Sequence, residues 1–357
     1  MFQYCNALNA LLSGPQSHRH RIPIGAATTV FWTERKTTIE RAFTAFFSGH
    51  AETLDKNEGS IEQDPILHQR LHAFLKLLRR GSAISFDDLG DDPNTKFFIL
   101  GLSDNVTRLA VRFWHVGTLR EMIEQLRDHF SCLAVARSFD NEPEFPSVIR
   151  LLDQTARERK AISPILGGQL MQAILNGTFY PMTLYQGVLN RIRVVEKDLN
   201  GKTRPNVTYL RACILKAVLT RNFNQTITMS LDPENTKPAY LLGRLFATLE
   251  KTQQDALGNL NAGLRERFYS SASATPASVF PRILRTYQHH LAKLQGGQRV
   301  NRERLVQSIH GPLEPTVGYP ALLNLEEQGI FAIGYYHQRQ ALFPTNPKTT
   351  EPDTNEN

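Results

Sequence analysis

The stretch KFFILGLSDNVTRLAVRFWHVG, residues 96–117, decides how the first part of this chain is read. An apolar run ends at Gly101, and Ser103, Asp104 and Asn105 have turn composition. Beyond them Val106, Leu109, Val111, Phe113 and Val116 interleave with Thr107, Arg108, Arg112 and His115. Alternation with period two around a turn predicts a β-hairpin with one solvated face. Working outward, LREMIEQLRDHF (119–130) follows as an amphipathic helix, and IGAATTVFW (24–32) upstream reads as a further β segment after an apolar, helix-like start. Between the β segments, residues 50–65 are polar and acidic, with loop composition. Residues 68–81 place Leu71, Phe74, Leu75 and Leu78 at helical spacing before a glycine stop.

Past the loop NEPEFP (141–146), helical periodicity takes over. PILGGQLMQAILNG (164–177) and TYLRACILKAVLTR (208–221) are the plainest segments, separated by the polar turn 196–206. From Met229 the pattern is almost wholly helical, with Leu242, Leu245, Phe246, Leu249, Ala256, Leu260, Leu264 and Phe268 recurring at 3.5 to 3.6 residues. Thr275-Pro276 marks a helix start with proline in the first turn. Asn324 with Glu327 three residues on has the form of a capping box. The expected fold class is α+β: a mixed α/β part over 1–228, a helical bundle over 229–345, and a polar tail, 346–357, expected to be disordered.

The 357 residues suggest about two domains at roughly 150 residues each. Hydrophobic residues are 41% and charged residues 21%, ordinary for a folded protein. No apolar run approaches the roughly 18 residues of a membrane span, and the start has no basic region ahead of a long apolar stretch, so neither a membrane nor export is expected. Cys5, Cys132 and Cys213 lie far apart, which excludes a disulfide framework and a cysteine-based zinc site and fits a cytoplasmic protein.

The net charge of +7 is unevenly spread. Residues 40–92 carry a net −4, whereas 191–221 carry +6 and 282–304 carry +5. In the last of these, a helix over 278–294 sorts its side chains sharply. Phe280, Ile283, Leu284, Tyr287, Leu291 and Leu294 share one face; Arg282, Arg285, His289 and Lys293 share the opposite face, with no acid among them. Arg299, Arg302 and Arg304 extend the cationic track. A phosphate backbone needs cations without base-specific geometry, which is what such a stripe offers. Arg191, Arg193, Lys202 and Arg204 form a second basic candidate.

Other chemistry finds little support. His289 and His290 are adjacent on a helix and point about 100° apart, so they cannot chelate one ion together, and no zinc motif accompanies them. Asp87, Asp88, Asp91 and Asp92 have the composition of a two-metal carboxylate cluster but sit in turn-like FDDLGDDPN. Phosphate-loop, nucleophile-elbow and dinucleotide fingerprints are absent from the sequence. No catalytic residue, metal or cofactor is therefore expected. Trp32, Trp114, Phe113, Tyr335 and Tyr336 have the chemistry to stack on bases, although such residues more commonly fill cores.

Several phrases together resemble one family: IGAATTVFWTE, FFILGLSDNVTRLAVRFWHVGTL, AYLLGRLFATLEKTQQDALG, SASATPASVFPRILR, HHLAKL and LEEQGIFAIGYYHQRQ. They are similar to the large subunit of the type I-C CRISPR interference (Cascade) complex, over about Tyr4 to Phe343. Members of that family are usually longer, so the chain is expected to begin inside the family sequence. The region it would lack is associated with anchoring at the crRNA 5′ end and reading the protospacer-adjacent motif. The resemblance implies a non-enzymatic subunit whose C-terminal bundle is like a Cascade small subunit, touching DNA backbones and the displaced strand to stabilise an R-loop. The implied partners are crRNA-bound backbone subunits, double-stranded target DNA, displaced single-stranded DNA and a recruited helicase–nuclease. Met229 is an implied internal start. The alternative is a scaffold that docks acidic proteins without contacting DNA; a metal-dependent nuclease using the aspartates near residue 90 is a third reading.

Overall fold

The computed structural model describes residues 2–15, 17, 20–25, 27–37, 91–105, 108–196, 203, 205–258, 262–313 and 318–343. The acidic stretch 50–65, the helix expected over 68–81, Asp87, Asp88, Lys202, Arg204 and the tail 346–357 lie outside them. The chain divides into two compact units. One comprises residues 1–134 and 144–188, the other 135–143 and 189–357. The second unit thus takes in residues 189–228 and the short segment 135–143, where the sequence change at Met229 placed the boundary later.

The first unit is built on a four-stranded antiparallel sheet in the order β1 (Arg21–Ile24), β2 (Ala27–Thr33), β3 (Lys96–Asn105), β4 (Arg108–Thr118). It is preceded by α1 (Phe2–Ser13) and followed by α2 (Leu119–Leu133), α3 (Val148–Leu152) and α4 (Leu166–Asn176). The β3–β4 hairpin is present, but its turn falls two residues later than the polar SDN implies, because pairing continues to Asn105↔Arg108. Gly101 faces Phe113 and Leu102 faces Val111, leaving Arg112 as the extra residue of a bulge. One inserted residue shifts the phase of a period-two pattern and sends side chains to the other face. Phe113 is therefore buried, whereas Leu109, Val111, Trp114 and Val116 are 52, 63, 50 and 46% exposed. The face expected to be solvated is instead apolar: Trp32 stacks on Phe98 at 5.4 Å and leans on Trp114 at 5.7 Å.

The inner face packs on helices. Phe31 and Phe97 stack there, and Gly101 is required because any Cβ would enter the Phe113 ring. His115 Nδ1 lies 3.0 Å from the Asn176 side-chain oxygen at the end of α4. Helix α2 begins at a complete capping box: the Glu121 amide donates to Thr118 Oγ1 (3.3 Å), and the Thr118 amide donates to the Glu121 carboxylate (2.8 Å).

Helix α5 (Met182–Arg193) carries the chain into the second unit, which adds α6 (Tyr209–Asn222), α7 (Pro238–Leu257), α8 (Leu264–Ala272), α9 (Pro276–Leu291), α10 (Gly296–His310) and α11 (Leu325–Leu342). Helix α7 is the hub, packing on α8, α9, α10 and most extensively on α11, whose other flank meets α6. Phe246 of α7 is enclosed by the rings of Tyr269, Phe280, Phe331 and Tyr335. The expected box at the start of α11 is formed, with the Glu327 amide donating to Asn324 Oδ1 at 2.9 Å and the Asn324 amide to Glu327 at 2.8 Å. Thr275 and Pro276 begin α9 as expected, although the Thr275 side chain makes no capping bond.

Candidate nucleic-acid interface

Helix α9 exists because its apolar residues recur on one side and bury against the bundle. Phe280, Ile283, Tyr287 and Leu291 are 0 to 3% exposed. Pro281, inside the helix, lies on the exposed side. The opposite face presents Arg282, Arg285 and His289 to solvent. The Arg282 guanidinium itself lies over the Phe268 ring, 5.3 Å from its centroid, while the residue stays exposed. The helix ends at Leu291, so Lys293 is exposed from the turn that follows, and Leu294 still buries. Of the two histidines, His289 faces out and His290 is buried, as their spacing requires.

Helix α10 departs from the expected track. Arg299 and Arg304 are exposed, but Arg302 turns inward, 9% exposed, and its Nη2 donates to Asp255 Oδ2 of α7 at 2.9 Å. The other carboxylate oxygen of Asp255 accepts from Lys251 Nζ at 2.5 Å. Arg302 is thus an internal ion-pair partner, where the sequence put it among outward phosphate-binding cations. Glu303, beside it, is exposed and places one acid among the α10 cations.

The second basic segment is also largely turned to internal use. Arg191 and Arg211 converge on the one carboxylate of Glu196, at 2.8 and 2.7 Å. Arg211 also donates to the Asn206 carbonyl at 2.8 Å, and Arg193 donates to the Gln328 side-chain oxygen. Arg211 and Lys216 are buried on α6, which is enclosed on every side from Arg211 to Leu219. That stretch of helix has no solvent face, so of the described cations in this segment Arg211 and Lys216 are not offered outward. Lys202 and Arg204 stand outside the described residues.

The remaining candidates resolve simply. Asp92 Oδ1 accepts the Asn94 amide at 2.9 Å, as a turn-forming aspartate does. Among the described residues no cluster of His, Cys, Asp or Glu has the arrangement to hold a metal. Phe113, Tyr335 and Tyr336 are core residues, leaving Trp32 and Trp114 as the partly exposed aromatics of that set. Sequence reasoning missed Glu250, a carboxylate of α7 only 3% exposed. It accepts from Tyr335 at 2.7 Å and Arg339 at 3.0 Å, with Arg265 3.6 Å away. Apart from Gln254 one turn on, its partners come from 15 to 89 residues along the chain, so no local pattern announces the two arginines and Tyr335.

No helix among the described residues is long and apolar enough to cross a membrane. No curated protein matches the chain. A family model does, that of the CRISPR-associated protein Cas_Csd1, over residues 1–343. With nearly the whole sequence inside that match, the chain belongs to the Cas_Csd1 family of CRISPR-associated proteins, the large subunits of type I-C interference complexes.

Proposed function

We propose that this protein is a non-catalytic subunit of a crRNA-guided surveillance complex whose second unit binds target DNA by its backbone and stabilises the R-loop. The observation that carries this reading is the α9 stripe: Arg282, Arg285 and Lys293 exposed with His289, no acid between them, behind a helix anchored by a buried apolar face. Arg299 and Arg304 add to it; Arg302, Arg191, Arg193, Arg211 and Lys216 do not. Exchanging a DNA duplex for an RNA–DNA heteroduplex is close to energy-neutral, so a few phosphate contacts are enough to tip it. The partners under this reading are the crRNA-bound backbone subunits, target double-stranded DNA, the displaced strand and the recruited helicase–nuclease.

Replacing Arg282→Glu and Arg285→Glu tests the reading. Both side chains are exposed, so the melting temperature should stay within a degree or two of the parent, as surface substitutions within about 0.5 kcal/mol do. Affinity for target DNA in the assembled complex should fall, and its dependence on log[salt] should become shallower. A variant that binds target DNA like the parent, with the same salt slope, would sink the proposal. A protein-docking scaffold is the second reading, favoured by the half-exposed Trp114 and its apolar neighbours on the sheet. It predicts assembly with partners but no steep salt dependence for single-stranded DNA.

A further inference from the structure

Helix α10 is poorly equipped to hold itself on the bundle. Of its fifteen residues only Arg302, Val306 and Ile309 are buried, and it opens on Gly296 and Gly297, whose surroundings are empty. A surface helix is normally secured by an apolar stripe three or four residues wide per two turns. Here one position of that stripe is a guanidinium, and its partner is Asp255 near the end of α7. Asp255 is in turn held from one turn back by Lys251, so the carboxylate has a fixed place before Arg302 reaches it. A partner that is already oriented makes the ion pair a register device, because the guanidinium fits at one axial position only.

We propose that Arg302 is a positioning residue: its pair with Asp255 docks α10 on α7 and thereby holds Arg299 and Arg304 where they meet a phosphate backbone. The inference rests on the DNA-binding reading above and changes the role of Arg302 within it from contact to support. The two roles make opposite predictions for Asp255→Asn. If Arg302 touched phosphate, removing a neighbouring negative charge would leave binding unchanged or tighten it. If Arg302 positions the helix, the same substitution weakens binding although the protein has become more positive.

The test uses the full chain, a single-stranded oligo-dT as probe, and amide hydrogen exchange. Asp255→Asn should speed exchange of amides 298–309 while the melting temperature of the bundle changes little. It should also weaken oligo-dT binding and make the salt slope shallower by about 1.4, the loss of two contacts at roughly 0.7 each. Adding Arg299→Gln and Arg304→Gln to Asp255→Asn should then cost nothing further, since coupled sites are not additive. Arg302→Lys, which keeps the charge but not the planar guanidinium, should fall between Asp255→Asn and the parent. Unchanged or tighter binding by Asp255→Asn, or full additivity with the arginine substitutions, overturns the proposal. Should Arg282→Glu with Arg285→Glu leave binding intact, the DNA reading itself fails. Unaltered exchange at 298–309 would in that case overturn the docking role on its own.

Discussion

His337 on α11 is fully buried, with Nδ1 2.9 Å from the Tyr240 hydroxyl and no hydrogen-bond partner for Nε2. Burial, reinforced by the buried Lys216 ammonium, pushes its pKa down to about 4. The fold therefore favours the neutral ring, while the unfolded chain titrates near 6.5. The stabilisation from this group is complete above pH 6.5 and drains away as pH falls towards 4, by about 3 kcal/mol. Urea midpoints followed from pH 7 to 4 should show that decline, and His337→Gln should flatten it. A midpoint equally steep in the variant would assign the acid sensitivity to other groups. Tyr269 and Tyr335 are similarly held neutral, their pKa values raised chiefly by burial.

At the scale of elements, the α7–α11 crossing is fixed by two glycines. A Cβ on Gly243 would overlap the Phe331 carbonyl, and one on Gly334 would overlap the Tyr240 carbonyl. The helices meet backbone to backbone, which is why α11 is enclosed along Gln328–Gln338. Gly334→Ala should cost about 1–3 kcal/mol through forced separation, despite the better helix propensity of alanine. Gly297→Ala in α10, where nothing lies near the added methyl, should be neutral or slightly stabilising. Thermal melts of the two variants check the contrast; equal effects would mean that the crossing has room to relax. The amphipathic helices α2 and α9 were legible from spacing, and so were the capping residues of α11. The phase of β4 was not: a bulge is set by its pairing with β3, and the same letters alternate equally well in either register.

On the scale of the whole molecule, the second unit is not a simple C-terminal half. Tyr336 donates to the Ala136 carbonyl at 2.6 Å, Gln340 to Ser138 at 2.5 Å, and the Ala136 amide to the Met229 carbonyl at 2.8 Å. Helix α6, buried from Arg211 to Leu219, covers a flank of α11. A product starting at Met229 would lose α6 and segment 135–143 together and expose apolar surface on α11. Such a fragment should bind a hydrophobic dye and melt at a lower temperature than one starting at Leu189. A Met229 fragment that melts as cooperatively as the longer one would show that the five helices from α7 suffice.

By itself the sequence determined the elements whose signal is local. These were the β segments and the hairpin, the period-3.6 helices among the described residues, the capping box of α11, and the opposed apolar and cationic faces of α9. It also carried the family, through phrases spread over nearly the whole chain. Tertiary structure alone decided which cations remain available. Arg302 pairs with Asp255 across 47 positions, Arg191 and Arg211 share Glu196, and Lys216 is sealed within α6. A charge count sums over residues without regard to direction, whereas phosphate binding depends on which charges the packing leaves facing outward.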